Sequence, residues 1–242
     1  SGGSWTAFGT PTTSTARLLS AIGSATMVRF VPTGDFNGSV DPGLTFHAWD
    51  QTTGSNGNTA DISAGGATGG TTAYSTATET AAITVTAVND APVLDNGGTM
   101  SVTGINEDDT NPSGITIADL ILSAGGDRIT DVDAGAVEGI AVITVDNTNG
   151  AWQFSTNSGG SWTAFGTPTT STARLLSAIG SATMVRFVPS GGFNGSVDPG
   201  LTFHAWDQTT GSNGATADIS AVGATGGTTA YSTATETAAI TV

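Results

Sequence analysis

Oxygen-bearing side chains recur in this chain in groups that suit a hard divalent cation. Asn89 and Asp90 stand side by side in "VNDAP" (88–92), and Asp131 and Asp133 are two apart in "DVDAG" (131–135). The apolar run "LTFHAWD" ends on Asp50 in one place and on Asp207 in another, and "INEDDTNPSG" (105–114) carries Glu107, Asp108 and Asp109. Calcium takes roughly six to eight oxygens from carboxylates, amide carbonyls and water. Each group also has a plain alternative. Asn89 and Asp90 could cap a turn, Asp131 and Asp133 a polar turn, Asp50 and Asp207 a strand end, and the 105–114 stretch could be a solvated loop. Composition alone leaves both readings open.

Local chemistry sharpens two of these groups. Pro92 fixes its own φ and biases Ala91 toward extended backbone, so "ITVTAV" (83–88) should run on without a helical turn, presenting Asn89 and Asp90 at a strand-to-strand junction. If residues 131–133 lie on a strand, both carboxylates face one way, and like charges resist that unless a cation lies between them. The acids are also unevenly spread. Eleven of the 20 fall in residues 86–157, against five in 1–85 and four in 158–242. Such a concentration is either an acidic solvated surface or a ligand set.

Charge and residue inventory exclude several functions. The net charge is −15 and all five cationic residues are Arg, which argues against nucleic acid and anionic membrane surfaces and makes divalent cations the natural counter-charge. With no Cys there are neither disulfides nor thiolate metal sites, and with no Lys there are no Lys–Asn isopeptide cross-links. No apolar run approaches the ~18–20 residues of a membrane span, so direct membrane insertion is not expected. His47 and His204 have no plausible nucleophile partner, and nothing sets two carboxylates across a cleft, so an enzyme is not expected. The five Trp residues could stack on sugars or fill a core. Thr76, Thr78 and Thr80 on one strand face are too few to outweigh ordinary β propensity.

The elements that must position these groups are written twice. Ser1 recurs as Ser158 and Val85 as Val242, an offset of 157 (158 − 1), with four differences: Thr33/Ser190, Asp35/Gly192, Asn58/Ala215 and Gly65/Val222. A near-exact duplicate suits a tandem array with a shared mechanical job better than a catalytic domain. Between the copies, residues 86–157 are the front of a repeat that residues 1–85 lack. The sheet of residues 1–85 should therefore have an unpaired edge of the kind that recruits another strand.

Short β-branched or aromatic segments separated by Gly, Asn, Asp and Pro, such as "GIAVITVDN", "GAWQFSTN" and "TMVRFVP", predict an all-β antiparallel sandwich. "ITIADLILSAG" and "STARLLSAIG" could each hold a helical turn or two. Residues 51–72 read as a long loop or ragged hairpin.

The order of "VNDAP", "EDD", "DVDAG", "RFVPTGDFNGSVDPGLTFHAWD" and "TAAITVTAV" resembles the cadherin-like repeats of large bacterial surface and secreted proteins, across essentially the whole chain. The resemblance implies tandem cadherin/immunoglobulin-like β-sandwich repeats, with residues 1–88 the C-terminal part of one and residues 89–242 a complete one. It implies calcium held by Asn89 and Asp90 as linker ligands together with Asp131, Asp133 and Asp207, with Asp50 repeating the strand-end position. Glu107, and Asp108 beside it, would face a following domain. This linker is shorter than the Asp-x-Asn-Asp-Asn of typical cadherins, which implies fewer or weaker ions, and the repeat is longer than usual. The function implied is adhesive and structural: an extracellular or cell-surface array contacting its neighbouring repeats, with homotypic or polysaccharide partners. The alternative from another class is a carbohydrate-binding module, marked by exposed, coplanar aromatic rings.

Overall fold

The computed structural model describes residues 3–23 and 25–242. The chain divides into two compact units, Ser1–Ala87 and Val88–Val242. Both are built from antiparallel sheets, and among the described residues the one α-helix has six residues, so the fold is all-β.

In the first unit a 3-10 turn (Thr13–Thr15) precedes β1 (Ala16–Arg17), β2 (Gly38–Trp49), β3 (Thr59–Ala60) and β4 (Tyr74–Val85). β1 pairs with β3 and β2 with β4, giving two separate two-stranded sheets. A bulge interrupts β2 between Val40 and Leu44, around Pro42, which has no N–H to give to a ladder.

The second unit begins with β5 (Val93–Leu94), β6 (Met100–Ser101), β7 (Ile115–Thr116), α1 (Ile117–Leu122) and β8 (Ile129–Thr130). It continues through β9 (Gly139–Val145), β10 (Gly150–Ser155), β11 (Thr163–Ala164), β12 (Ala173–Ser177) and β13 (Met184–Pro189). β14 (Ser196–Trp206), β15 (Thr216–Ala217) and β16 (Tyr231–Thr241) complete it. One sheet has the order β15-β12-β9-β14-β16-β6, antiparallel except for the parallel pair β16–β6, and the other has the order β11-β10-β13-β7. The pair β5–β8 stands apart. Consecutive strands β9 and β10 enter different sheets through the short link Asp146–Asn149, so this arch supplies a central strand to each.

Both sheets feed one core. Ile140 and Val142 of β9, Phe203 of β14 and Ile240 of β16 meet Trp152 and Phe154 of β10 and Val185 and Phe187 of β13, with the Trp152 and Phe187 ring centroids 5.2 Å apart. Helix α1 closes one side because its apolar residues fall on one face. Ile117, Leu120 and Ile121 are buried, and Thr116 Oγ1 accepts the Asp119 N–H at 3.0 Å as its N-cap. On the other face of the larger sheet, Leu175, Trp206, Ile219 and Ala230 form a second cluster.

The two copies of the repeated sequence fold differently where the front is concerned. In the second unit Leu201, Phe203 and Phe187 are 0%, 0% and 1% exposed; their counterparts Leu44, Phe46 and Phe30 are 37%, 48% and 41% exposed. Residues 184–189 form β13 on β10, but 27–32, the same six residues, carry no strand. The core that the copied residues build among themselves survives in both: Leu18, Ile62 and Ala73 of the first unit stay buried.

One local expectation changes and one holds. "STARLLSAIG" contributes no α-helix among the described residues, only the end of the Thr13–Thr15 3-10 turn in the first copy. It is extended in both units, as β1 on β3 in the first and as β12 on β15 in the second, where pairing with β9 lengthens it along Arg174–Ser177. Residues 51–72 are, as expected of a long loop, mostly turns and bends. They carry β3, and Ile62 packs in the interior.

The four differences between copies fall at surface positions. Asp35 and Gly192 both adopt left-handed backbone, with φ 61° and 77°, a conformation open to Gly and tolerated by Asp. Gly200 is the opposite case, since a Cβ there would lie 2.6 Å from the Trp152 ring and 3.0 Å from the Ala238 carbonyl oxygen. Its copy Gly43 meets only backbone, at 3.0 Å and beyond. Gly200→Ala is expected to cost about 1–3 kcal/mol by overpacking, and Gly43→Ala less, read as shifts in the urea midpoint.

Candidate metal centre

Strand pairing, not sequence proximity, gathers the candidate ligands. β5 and β8 run antiparallel with Val93 opposite Thr130, so the residues before β5 lie beside those after β8. Asn89–Asp90 are thereby set against Asp131–Asp133. Asp207 is the first residue beyond β14, at the same end of the second unit. The Asp90 N–H donates to Asp133 Oδ2 at 2.8 Å, and Asn89 Nδ2 donates to Asp207 Oδ2 at 2.9 Å and to the Thr229 carbonyl at 3.2 Å. The Ala91 N–H donates to the Gly227 carbonyl at 2.8 Å, which holds the segment before Pro92 extended on the unit. Five of the eight candidates, Asn89, Asp90, Asp131, Asp133 and Asp207, thus form one constellation.

Its electrostatics are unfavourable without a counter-charge. Asp131 Oδ2 is buried and has no hydrogen-bond partner. Burial pushes the Asp131 carboxyl above the usual carboxylate range, and the charges of Asp133, Asp207 and Asp90 push the same way. One bond opposes them, the Asp133 N–H donated to Asp131 Oδ1 at 2.9 Å. Asp207 is 3% exposed, and its Oδ1 accepts both the N–H and the hydroxyl of Thr209, at 2.8 and 2.6 Å. Among the described residues no three acid or histidine side chains converge at ligating distance. Asp133 and Asp207 are turned instead toward amide donors of the 89–90 segment.

Asp131 and Asp133 correct one expectation. They lie beyond β8, in a bend closed by the Asp131 carboxylate on the Asp133 N–H, and not on a strand. A carboxylate two residues before a backbone N–H favours this turn over ladder pairing. The turn, not strand alternation, sets their spacing.

The other three candidates lie elsewhere. Glu107 Oε2 accepts from Asn194 Nδ2 at 2.9 Å, and Asn194 precedes β14 whereas Asp207 follows it. An 11-residue strand spans about 36 Å at ~3.3 Å per residue, so Glu107 is at the opposite end of the unit. Asp108 is exposed. Asp50 belongs to the first unit and is exposed. The hydroxyl and N–H of Thr52 hold its carboxyl below the usual range.

Sequence reasoning missed Thr209, Gly227 and Thr229, which hold Asp207 and the 89–91 segment in place. The Asp-x-Thr spacing was a readable turn signal for Thr209; the two carbonyl contacts had none.

Of the remaining chemistry-bearing residues, those of the second unit are mostly buried or covered, whereas Trp5 of the first unit is 43% exposed. Trp152 and Trp206 are buried, and Trp162 is half-buried beneath Arg186, whose guanidinium carbon lies 4.2 Å from the ring centroid. Arg186 also donates to Gln153 and Asn111, both at 2.7 Å, tying the 105–114 loop to the smaller sheet. His204 is buried with Nδ1 2.8 Å from the Ser232 carbonyl oxygen. No family model, curated protein or solved structure is found to match this chain.

Proposed function

We propose that the chain is part of an extracellular or cell-surface tandem array of cadherin/immunoglobulin-like β-sandwich repeats, stiffened by calcium, whose role is adhesive and structural and not enzymatic. The supporting observation is that Asn89, Asp90, Asp131, Asp133 and Asp207 are gathered at one end of the second unit, where a buried Asp131 carboxylate oxygen lacks a partner and burial and the neighbouring acids raise its pKa. Four carboxylates and an amide carbonyl are the donor set a calcium ion favours. The residues that would hold it are these five. The ion would supply the positive charge that Asp131 lacks and bind the entry segment 89–90 to the loops at 131–133 and 207. Without it the same charges repel, and the entry segment loosens. Two packed sheets with a shared core support the sandwich assignment. Burial of Trp152 and Trp206 and the cover over Trp162 weigh against a carbohydrate-binding face on the second unit.

The test is thermal unfolding in calcium and in chelator, joined to small-angle scattering of two complete repeats in tandem. Calcium should raise the melting temperature, and the tandem should be a rod with calcium and a flexible pair without it. An unmoved melting temperature rejects the ion. An unchanged scattering profile rejects the stiffening role.

A further inference from the structure

We propose, resting on the calcium reading above, that Asn89 is a latch that sets the calcium concentration at which the site fills. Its amide holds Asp207 as a hydrogen-bond donor and has to turn over, presenting oxygen, when a cation takes that carboxylate. One end of the Asn89 amide is surrounded by oxygen. Nδ2 donates to Asp207 Oδ2 at 2.9 Å, to the Asp90 carbonyl at 3.1 Å and to the Thr229 carbonyl at 3.2 Å. An amide oxygen turned to the same place would meet three acceptors and no donor, so the nitrogen has to point there. Calcium, however, takes only oxygen. Asn89 in this orientation gives the ion nothing and engages one oxygen of Asp207, whose other oxygen already accepts from Thr209. Asp131 Oδ2, by contrast, is buried and accepts from nothing.

Asn89 is the one contact of the entry segment that can be exchanged with the main chain in place. Asp133 Oδ2 is held by the Asp90 backbone N–H, and the Gly227 carbonyl by the Ala91 backbone N–H, both at 2.8 Å. Releasing either moves the backbone. The Asn89 amide needs only a half-turn about its last side-chain torsion, which is broad and roughly two-fold. Aspartate at 89 would be the stronger ligand but would face Asp207 and two carbonyls as a fourth acceptor. Asparagine is the side chain of this shape that can both donate and accept. The exchange has a consequence for affinity, because a hydrogen bond to a charged group given up on binding weakens binding about 10- to 100-fold.

The test uses the full chain, labelled with nitrogen-15, and calcium chloride as the titrant. The Asn89 side-chain amide signals, assigned by their loss in Asn89→Asp, should exchange with solvent about 10-fold faster in saturating calcium than in chelator. Asn89→Asp should unfold at lower urea than the native chain in chelator, and by calorimetry should bind calcium about 10-fold more tightly. Calcium should recover the stability that the variant loses. The latch is overturned if the native chain binds calcium while the Asn89 amide signals do not respond, or if Asn89→Asp is as stable as the native chain in chelator. A variant that binds calcium more weakly, or that stays unfolded in calcium, overturns it as well. A native chain that binds no calcium rejects the calcium reading itself and the latch with it, and the native titration alone identifies that outcome.

Discussion

Phe203→Ala should destabilise the second unit by about 3–5 kcal/mol, whereas Phe46→Ala, the same change in the same local sequence, should cost less than about 1 kcal/mol. Both residues sit in "LTFHAWD", so propensity, neighbours and denatured-state effects are shared. What differs is the partner. Phe203 faces Val142 across the β14–β9 ladder and packs in the core between sheets, fully buried. Removing its ring leaves a cavity that Trp152 and Phe187, already packed on each other, cannot fill without losing their own contacts. Phe46 pairs with Glu79 of β4 but, among the described residues, has no strand on its other side where Phe203 meets Val142, and it is about half exposed already. Urea unfolding of the two single variants decides the matter. Equal losses would mean that the first unit builds a core of its own around Phe46.

Asp131→Asn should have opposite effects with and without calcium. In chelator the substitution removes a carboxylate whose ionised form is disfavoured by burial and by Asp133, Asp207 and Asp90. A carboxyl raised in the folded state favours folding most when protonated. For the unsubstituted chain that contribution is complete below the ordinary Asp range, and it is lost as pH rises through the raised value. At neutral pH without calcium, Asn at 131 should therefore stabilise the second unit. The gain should vanish in acid. With calcium the sign reverses. An ion present at about a hundredfold above its dissociation constant adds about 2.7 kcal/mol to the folded state, and loss of Asp131 as a ligand forfeits most of it. Thermal unfolding of both proteins, in calcium and in chelator at two pH values, measures all four terms. A variant less stable in every condition would make Asp131 an ordinary turn residue and remove the basis for the metal.

Some of this was legible in the residues alone. Alternating apolar positions in "GAWQFSTN", β-branched runs such as "GIAVITV" and the Gly, Asn and Pro between them are local signals, and they specify β structure because the two faces of a strand alternate. The oxygen-rich groups at 89–90, 131–133 and 207 were also visible as residue types. Their meeting was not. Asn89 and Asp207 are 118 positions apart, and only the β5–β8 pairing and the end of β14 bring them together. "STARLLSAIG" shows the same limit, since a segment open to helix is extended in both copies, held by β3 in the first unit and by β15 and β9 in the second. The repeat makes the division plain. Residues 1–85 and 158–242 carry almost the same side chains, so sequence determined equally in both which residues can be buried. Tertiary structure decided which are: Leu201, Phe203 and Phe187 lie inside because the β9–β10 arch covers them, and their copies lie at the surface because burial needs a partner that 85 residues do not contain.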